Sequence, residues 1–342
     1  MKVTAYSIKT CEKEFIIKEN DKKHDIDFIS TRLTTDTVLH AKGKDAVLVF
    51  SSDDLSSQVL QDLKAFGVKY IVTRSTGTDH IDLPEAKRLD LKVANIPSYS
   101  PESIAEHAIM LILALFRNVL PAHQQMMAYD FTLDHLVGTT IRSKTVGVVG
   151  FGQTGQAMVR ILRGFGCRVL VSDIENVAKQ CIELDARQVS HDVLLKEADI
   201  ISFHVPLTEQ TRHMVNSRSI EQMKAGVMLI NVSRGAIFNS IDVYNALQRD
   251  KISKVGMDVY EFENHIFFFD HTNDHVDDQL LKSFIQHSDV LLTPHQAFLT
   301  REALQIIAER TIQHLDLFAS GKTLVSGEKT GDSTKGVLLG SK

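Results

Sequence analysis

The sequence contains few cysteines and carries little net charge. Its three cysteines, Cys11, Cys167 and Cys181, form no Cys-x-x-Cys motif and no even-numbered set, which excludes a disulfide scaffold. Unpaired thiols are typical of a reducing compartment. The net charge of −5 argues against nucleic acid as the main partner, because proteins that bind nucleic acid present basic surfaces.

Long apolar runs are also missing. Residues 1–7 follow a strand-like pattern and lack the apolar stretch of a secretory signal peptide. The most apolar helical stretch, 104–116, contains Glu106 and His107 and is too short to cross a bilayer. We therefore expect a cytoplasmic protein with no membrane partner.

What the sequence does contain is a regular alternation of strand and helix patterns over 342 residues, a length typical of two domains. Such alternation predicts parallel sheets covered by helices. In the first part of the chain, strands are predicted at residues 3–7, 25–29, 46–50, 70–75 and 92–96. In the second part, strands are predicted at residues 146–149, 169–172, 200–204, 227–231, 255–258 and 290–292.

The predicted fold class is α/β, with two doubly wound parallel-sheet domains and a cleft between them. One is a Rossmann-type cofactor domain and the other a flavodoxin-like substrate domain. Residues 1–100 and 299–330 are expected to form the substrate domain, because the final helix, 300–319, is expected to return to it. Residues 101–298 are expected to form the dinucleotide-binding domain, and residues 331–342 a flexible tail.

A glycine motif follows the first strand of the second domain. The strand leads into Gly150-x-Gly152-x-x-Gly155, and a helix is predicted at 156–165. These glycines allow a tight turn, a close approach of pyrophosphate and close helix packing, and the helix start attracts the phosphates. Asp173 ends the next strand, where a ribose-binding carboxylate is expected. The pattern favours an NAD site that prefers NADH to NADPH. The alternative is a glycine-rich turn in another α/β protein.

Three later strands end in groups that could perform chemistry. Arg234 follows one, Asp258 and Glu263 the next, and His295 the last. Arginine can hold a planar carboxylate through two parallel hydrogen bonds, and a protonated histidine can donate to a keto oxygen. An adjacent carboxylate favours the imidazolium and orients its ring. Taken singly, these residues could instead be a surface ion pair, a helix cap and a loop histidine bonded to backbone.

These segments resemble the signature blocks of the NAD-dependent D-2-hydroxyacid dehydrogenases. The resemblance extends to about residue 318, and residues 263–270 and 295–300 are most similar to the fermentative bacterial D-lactate dehydrogenases. The matching blocks are Gly150–Gly155, Asn-Val-Ser-Arg-Gly at 231–235, Gly-Met-Asp-Val-Tyr-Glu at 256–261, Thr-Pro-His-Gln-Ala-Phe at 293–298, and residues 97–101 and 204–208.

The resemblance implies reversible reduction of pyruvate to D-lactate with NADH. Arg234 would hold the substrate carboxylate, His295 would donate the proton, and Glu263 would pair with His295. Asp258 would support Arg234 or the nicotinamide carboxamide. The implied cofactor-binding residues are Gly150, Gly152, Gln153, Thr154, Gly155, Asp173, His204, Val205, Pro206, Val232, Ser233 and Asp258. The implied substrate-binding residues are Ser75, Thr76, Gly77, Tyr99 and Phe298, with Phe50 as a further pocket residue.

Two other functions remain open from the sequence alone. One is a dehydrogenase of the same family acting on a bulkier 2-keto acid. The other is a dinucleotide-sensing binding protein like the transcriptional corepressors built on this fold, which the acidic charge disfavours.

Two further regions have structural interpretations. Histidines and aspartates between 265 and 278 fit no metal-binding spacing and indicate a polar surface loop, anchored by the phenylalanines at 267–269. The apolar helix predicted at 102–118 should be buried between domains or subunits, with its apolar positions at 104–116 forming either core or a dimer contact. A homo-oligomer, either a dimer or a tetramer, is therefore favoured.

Overall fold

The structure is a computed structural model that describes residues 1–321 and the backbone of Leu338–Leu339. The chain divides into two units. The first comprises Met1–Ser100 and the chain from Leu299 onward, and the second is Pro101–Phe298.

The first unit is a parallel sheet with helices on both faces. Its parallel strands lie in the order β5-β4-β3-β1-β2, which is the flavodoxin-like order. The central strand β3 is apolar and fully buried, as expected where helices cover both faces. The strands are β1 (Lys2–Ala5), β2 (Asp25–Phe28), β3 (Ala46–Val49), β4 (Tyr70–Thr73) and β5 (Lys92–Ala94). The helices are α1 (Thr10–Asn20), α2 (Ser57–Ala65), α3 (Leu83–Arg88) and a C-terminal helix, Arg301–Ala319.

The C-terminal helix is part of the first unit. Thr300 caps it by accepting a hydrogen bond from the Ala303 N–H, at 3.2 Å. His314 lies 3.1 Å from the carbonyl oxygen of Asn95 at the end of β5. Of the tail predicted at 331–342, Leu338–Leu339 lies within the described residues and pairs antiparallel with β5.

The second unit contains seven parallel strands in the order β12-β11-β10-β9-β6-β7-β8. The order reverses between β6 and β9, and ligands of doubly wound sheets bind at the carboxyl ends of strands beside such a point. Its strands are β6 (Thr145–Val149), β7 (Arg168–Ser172), β8 (Arg187–Gln188), β9 (Ile200–Phe203), β10 (Val227–Asn231), β11 (Ile252–Met257) and β12 (Val290–Leu292). Its helices are α4 (Pro101–Phe116), α5 (Val119–Met127), α6 (Gln153–Gly164), α7 (Ala178–Glu183), α8 (His191–Glu197), α9 (Ser217–Gln222), α10 (Ser240–Leu247) and α11 (Gln279–Gln286).

The predicted α/β class is confirmed, and the differences from the sequence prediction are local. The short strand β8 and the helix α5 were missed. No residue of α5 is buried, so the helix contributes no side chain to the core. Helix α6 begins directly after Gly152 rather than at Gln156. Strand β11 ends one residue earlier than predicted, which places Asp258 in the loop after it.

Helix α4 is buried within the second unit. Ala105, Ala108, Leu111 and Ile112 are fully buried and belong to one apolar cluster with residues of α6 and of the sheet. The expectation that the apolar positions of this helix are core is therefore confirmed, and a location between domains or subunits is wrong for these four residues. In the described part of the chain, no single helix is long and apolar enough to cross a membrane, although α4 and α5, bent by 61°, meet that test as a pair.

Candidate active site

The glycine motif forms a backbone turn at the carboxyl end of β6. Gly150 has a φ of +90°, and a Cβ atom there would lie 2.4 Å from the carbonyl oxygen of His204. A Cβ atom on Gly155 would lie 2.1 Å from the carbonyl oxygen of Gly150. By contrast, the space around Gly152 is open, and this residue caps α6 without a side chain. A pyrophosphate fits such a site, because it needs open space at the amino end of a helix.

Asp173 lies beside this turn. Its Oδ2 accepts a hydrogen bond from the Phe151 N–H at 2.6 Å, and its Oδ1 accepts one from the Glu175 N–H at 2.9 Å. The carboxylate is therefore fixed next to the glycine turn, in the position expected for a group that binds ribose hydroxyls.

His204 follows β9 and carries a buried polar atom that fits a ligand site. Its Nε2 lies 2.8 Å from the Ser202 hydroxyl, and its buried Nδ1 has no hydrogen-bond partner among the described residues. Burial lowers the pKa of His204 to about 4. The ring is therefore neutral near pH 7.

The other predicted cofactor-binding residues lie close to the same strand ends. Gln153 and Thr154 form the first turn of α6. Val205 is half-buried against the core and Pro206 is exposed after β9. Val232 is buried after β10.

Arg234 lies on a turn that is held by Asn231. The Asn231 Oδ1 accepts hydrogen bonds from both the N–H and the hydroxyl of Ser233, each at 3.1 Å, and its Nδ2 donates to the Arg234 carbonyl at 2.9 Å. The next residue, Gly235, packs so closely that a Cβ atom would lie 2.1 Å from the carbonyl carbon of Tyr260. This contact brings the arginine turn against the segment that leads to Glu263.

Glu263 and His295 form a hydrogen-bonded pair. The His295 Nδ1 lies 2.7 Å from the Glu263 Oε1, and both side chains are about four-fifths buried. The Glu263 Oε2 accepts a hydrogen bond from the Tyr260 N–H at 2.8 Å, which orients the carboxylate. Because a carboxylate accepts, Nδ1 carries the proton, and Nε2 is the nitrogen left to exchange a proton with a substrate. The Phe268 ring packs 5.4 Å from the imidazole, between ring centroids.

Asp258 accepts hydrogen bonds from the loop that carries His295 and stabilises its conformation. Its carboxylate is fully buried. Oδ1 accepts hydrogen bonds from the Thr293 hydroxyl at 2.6 Å and the Gln296 N–H at 2.8 Å, and Oδ2 accepts one from the Ala297 N–H at 2.7 Å. The carboxylate thus binds the loop on both sides of His295. The cofactor-binding role expected of Asp258 stays a prediction.

In the first unit, hydrogen bonds hold the loop after β4, which contains the predicted substrate-binding residues 75–77. The Ser75 hydroxyl donates to the Gly77 carbonyl oxygen, and the Asn95 amide donates to the Thr76 carbonyl oxygen, both at 2.8 Å. Of the aromatic residues expected around the substrate, Phe50 is buried, and Tyr99 and Phe298 are half-buried.

The polar side chains of the loop between 265 and 278 make hydrogen bonds to groups close to them in sequence. The His271 Nε2 lies 3.1 Å from the Ile266 carbonyl oxygen, and Asp278 caps α11 through the Leu281 N–H at 2.8 Å. Among the described residues, no group of three or more potential metal ligands converges. Phe267 belongs to the core, as expected of an anchor.

Three residues beside the candidate site were given no site role from the sequence. They are Thr293, Phe268 and His107, whose imidazole lies 2.9 Å from the Thr293 hydroxyl. The sequence signal for His107 is that it and Glu106 are polar residues within an otherwise apolar stretch.

Comparisons with known proteins give one consistent family. Residues 109–297 match the family described as D-isomer specific 2-hydroxyacid dehydrogenase, NAD binding domain. The D-lactate dehydrogenase of Escherichia coli (strain K12) is 42% identical over 94% of this chain and 98% of its own length. The pyruvate reductase of Chlamydomonas reinhardtii superposes with a TM-score of 0.88, at 38% identity, over 95% of this chain and 98% of that one.

A third similar structure holds ligands. The D-lactate dehydrogenase of Aquifex aeolicus, complexed with NAD and lactic acid, has a TM-score of 0.84 and 32% identity over 93% of this chain and 96% of that one. The resemblance inferred from the signature blocks is thereby confirmed. The chain belongs to the D-isomer specific 2-hydroxyacid dehydrogenases and is an enzyme that uses NAD.

Proposed function

We propose that this enzyme reduces pyruvate to D-lactate with NADH, and catalyses the reverse reaction. The observation that carries the proposal is the Glu263–His295 pair, with 2.7 Å between Oε1 and Nδ1. The loop that carries His295 is held by hydrogen bonds to the buried Asp258 carboxylate. An imidazole held in one orientation by a carboxylate suits a group that must donate and accept one proton in turn.

The residues of the second unit supply the steps that surround hydride transfer. A nicotinamide cofactor bound by these residues would supply the hydride for the keto carbon. Arg234 holds the substrate carboxylate through two parallel hydrogen bonds and so orients the carbonyl. His295 donates the proton from Nε2 to the carbonyl oxygen, which becomes the lactate hydroxyl. In the reverse direction the neutral imidazole accepts that proton.

Glu263 holds the His295 ring in a largely buried position, through the hydrogen bond between its Oε1 and Nδ1 at 2.7 Å. The Glu263 carboxylate also accepts the Tyr260 N–H, so it cannot turn away without losing a second hydrogen bond.

The shape of the glycine turn supports an assignment of the residues that bind the cofactor. We assign the pyrophosphate to the open backbone around Gly152 at the start of α6, and the ribose to Asp173. The buried Nδ1 of His204 is available to a cofactor group. The substrate-binding roles of Ser75, Thr76, Gly77 and Tyr99 stay predictions.

The preference for NADH provides a prediction at Asp173. The carboxylate should repel a 2′-phosphate, so the wild type should favour NADH over NADPH in kcat/KM by on the order of 10². Asp173→Ala should lower kcat/KM with NADH roughly tenfold and reduce the preference, because it removes both attraction and repulsion. Steady-state kinetics with both cofactors measures this. Equal kcat/KM for the two cofactors in the wild type would refute the assignment.

The substrate assignment is tested by comparing pyruvate with the branched 2-ketoisocaproate. We expect pyruvate to give the higher kcat/KM in assays of NADH absorbance, because Phe50, Tyr99 and Phe298 are expected to limit the space around the substrate methyl. A higher value for 2-ketoisocaproate would move the assignment to a bulkier 2-keto acid. Binding of NADH without turnover of either acid would favour a dinucleotide-sensing protein.

We propose that the enzyme is a homo-oligomer that associates through α5 and the segment after it. Side chains there are large, apolar and exposed, which marks an interaction surface. The exposed residues are Met126, Met127, Tyr129, Phe131, Leu133 and Val137, with exposures of 56–86%.

The double substitution Leu133→Asp, Val137→Asp tests this surface. Two buried charges would oppose association, so the variant should be a monomer at concentrations where the wild type is a dimer or tetramer. Light scattering coupled to size-exclusion chromatography gives the mass. Ile182→Asp is the control, because Ile182 is also exposed but lies on α7. A wild-type monomer, or a variant with unchanged mass, would contradict the proposal.

A cytoplasmic location is also part of the proposal. Its support is chemical: Cys11, Cys167 and Cys181 are all free thiols, and Cys11 is exposed. Cell fractionation that recovered the protein from an oxidising compartment would contradict it.

A further inference from the structure

A histidine on α4, His107, contacts the loop that carries His295. The imidazole of His107 is nearly buried, and its Nε2 lies 2.9 Å from the Thr293 Oγ1 and 3.3 Å from the Asp258 Oδ1. His107 is separated from Thr293 by 186 residues in sequence, so this contact exists only in the folded chain.

The other hydrogen bond of Thr293 determines which group donates in the contact between His107 and Thr293. The Thr293 hydroxyl has one proton, and its 2.6 Å contact with the Asp258 carboxylate uses that proton. The Thr293 oxygen can therefore only accept from His107. The His107 Nε2 carries a proton and donates to the Thr293 oxygen, with the Asp258 Oδ1 close enough to share it.

This arrangement connects His107 to His295 through groups that are already fixed. The Thr293 carbonyl oxygen accepts a hydrogen bond from the His295 N–H at 2.9 Å, and Asp258 binds the amides of Gln296 and Ala297. His295 itself has a φ of 54°, a left-handed conformation that a non-glycine residue keeps only where its neighbours are held. Loss of one donor to this network would let the loop relax.

We propose that His107 is a positioning residue for the reaction. It donates to the Thr293 oxygen and so holds the 293–297 loop, which sets the His295 imidazole against Glu263. The inference rests on the proposed role of His295 as proton donor.

The test compares His107→Leu with His107→Gln. Leucine removes the donor at similar size, and glutamine keeps an N–H near the position of Nε2. His107→Leu should lower kcat by at least about tenfold while KM for NADH and for the keto acid stays within about twofold, because binding groups are untouched. His107→Gln should recover kcat to within about threefold of the wild type. His191→Leu, on α8, is the control and should keep wild-type kcat.

Thr293→Val provides a second route if His107→Leu fails to fold. It should lower kcat to a similar degree, and the double variant with His107→Leu should lose no more than the worse single variant, because both act through one hydrogen bond. Additive losses, unchanged kcat in His107→Leu, or a His107→Gln as slow as His107→Leu would each overturn the proposal.

A spectroscopic measurement separates this proposal from the proposed function. The hydrogen-bonded Nδ1–H proton of His295 should give a downfield proton resonance, assigned by its loss in His295→Gln. It should move or disappear in His107→Leu and Thr293→Val, and persist in His107→Gln and His191→Leu. An unchanged resonance in His107→Leu would overturn the positioning role, whether or not pyruvate is the substrate. Absence of turnover by the wild type would overturn the proposed function alone.

Discussion

His295→Gln should lower kcat for pyruvate reduction by about 10² to 10⁴, the range typical of losing a general acid. Glutamine can still hydrogen-bond to Glu263, but its amide cannot give up a proton at working pH. The dissociation constant for NADH should stay close to the wild-type value, because the glycine turn and Asp173 are untouched. Stopped-flow turnover and NADH fluorescence titration measure the two effects separately.

A second histidine offers a matched control. The His213 Nε2 lies 2.5 Å from the Glu261 Oε1, so it makes the same kind of pair two residues from Glu263. His213→Gln should keep kcat within about threefold of the wild type, because the Glu261 carboxylate accepts the Ser240 N–H rather than a group of the loop that carries His295. Similar activity in His295→Gln and the wild type would place the proton donor elsewhere.

Arg234→Lys should mainly raise KM for pyruvate, by roughly 10- to 100-fold. A lysine keeps the positive charge but replaces a planar fork with a single ammonium group, so the two parallel bonds to the carboxylate are lost. Some loss of kcat should follow, since the carbonyl is then less well oriented. Steady-state kinetics over a wide range of pyruvate concentrations gives both constants.

The control for this change is Arg249→Lys. Arg249 makes an exposed pair with Glu221 at 3.5 Å, and exposed pairs contribute little. Its substitution should alter neither constant. An Arg234→Lys variant with a wild-type KM would show that the guanidinium does not hold the substrate carboxylate.

Local rules explain why part of the site could be predicted from the sequence. Gly150, Gly155 and Asp173 belong to one strand–turn–helix–strand unit, whose geometry depends on short-range contacts. Glu263 and His295 are 32 residues apart in sequence, but they follow the neighbouring strands β11 and β12. Carboxyl ends of parallel strands lie at one edge, so the general position of the two residues followed from the strand pattern.

The parts that could not be predicted depend on irregular backbone or on distant packing. Asp258 binds amides of a loop whose direction no periodicity specifies. His107 meets Thr293 only because α4 packs beside β11 and β12. Helix α5 buries no residue, so the core-facing positions that mark an amphipathic helix in a sequence are missing from it.

Formation of D-lactate through the proton held at His295 is tested most directly by the configuration of the lactate that the wild type forms from pyruvate and NADH. Chiral chromatography measures it, with His295→Gln as the control. We expect the wild type to form D-lactate in an amount equal to the NADH consumed, and the variant to form almost none in the same time. L-lactate, a racemic product, or D-lactate formed equally fast by the variant would contradict it.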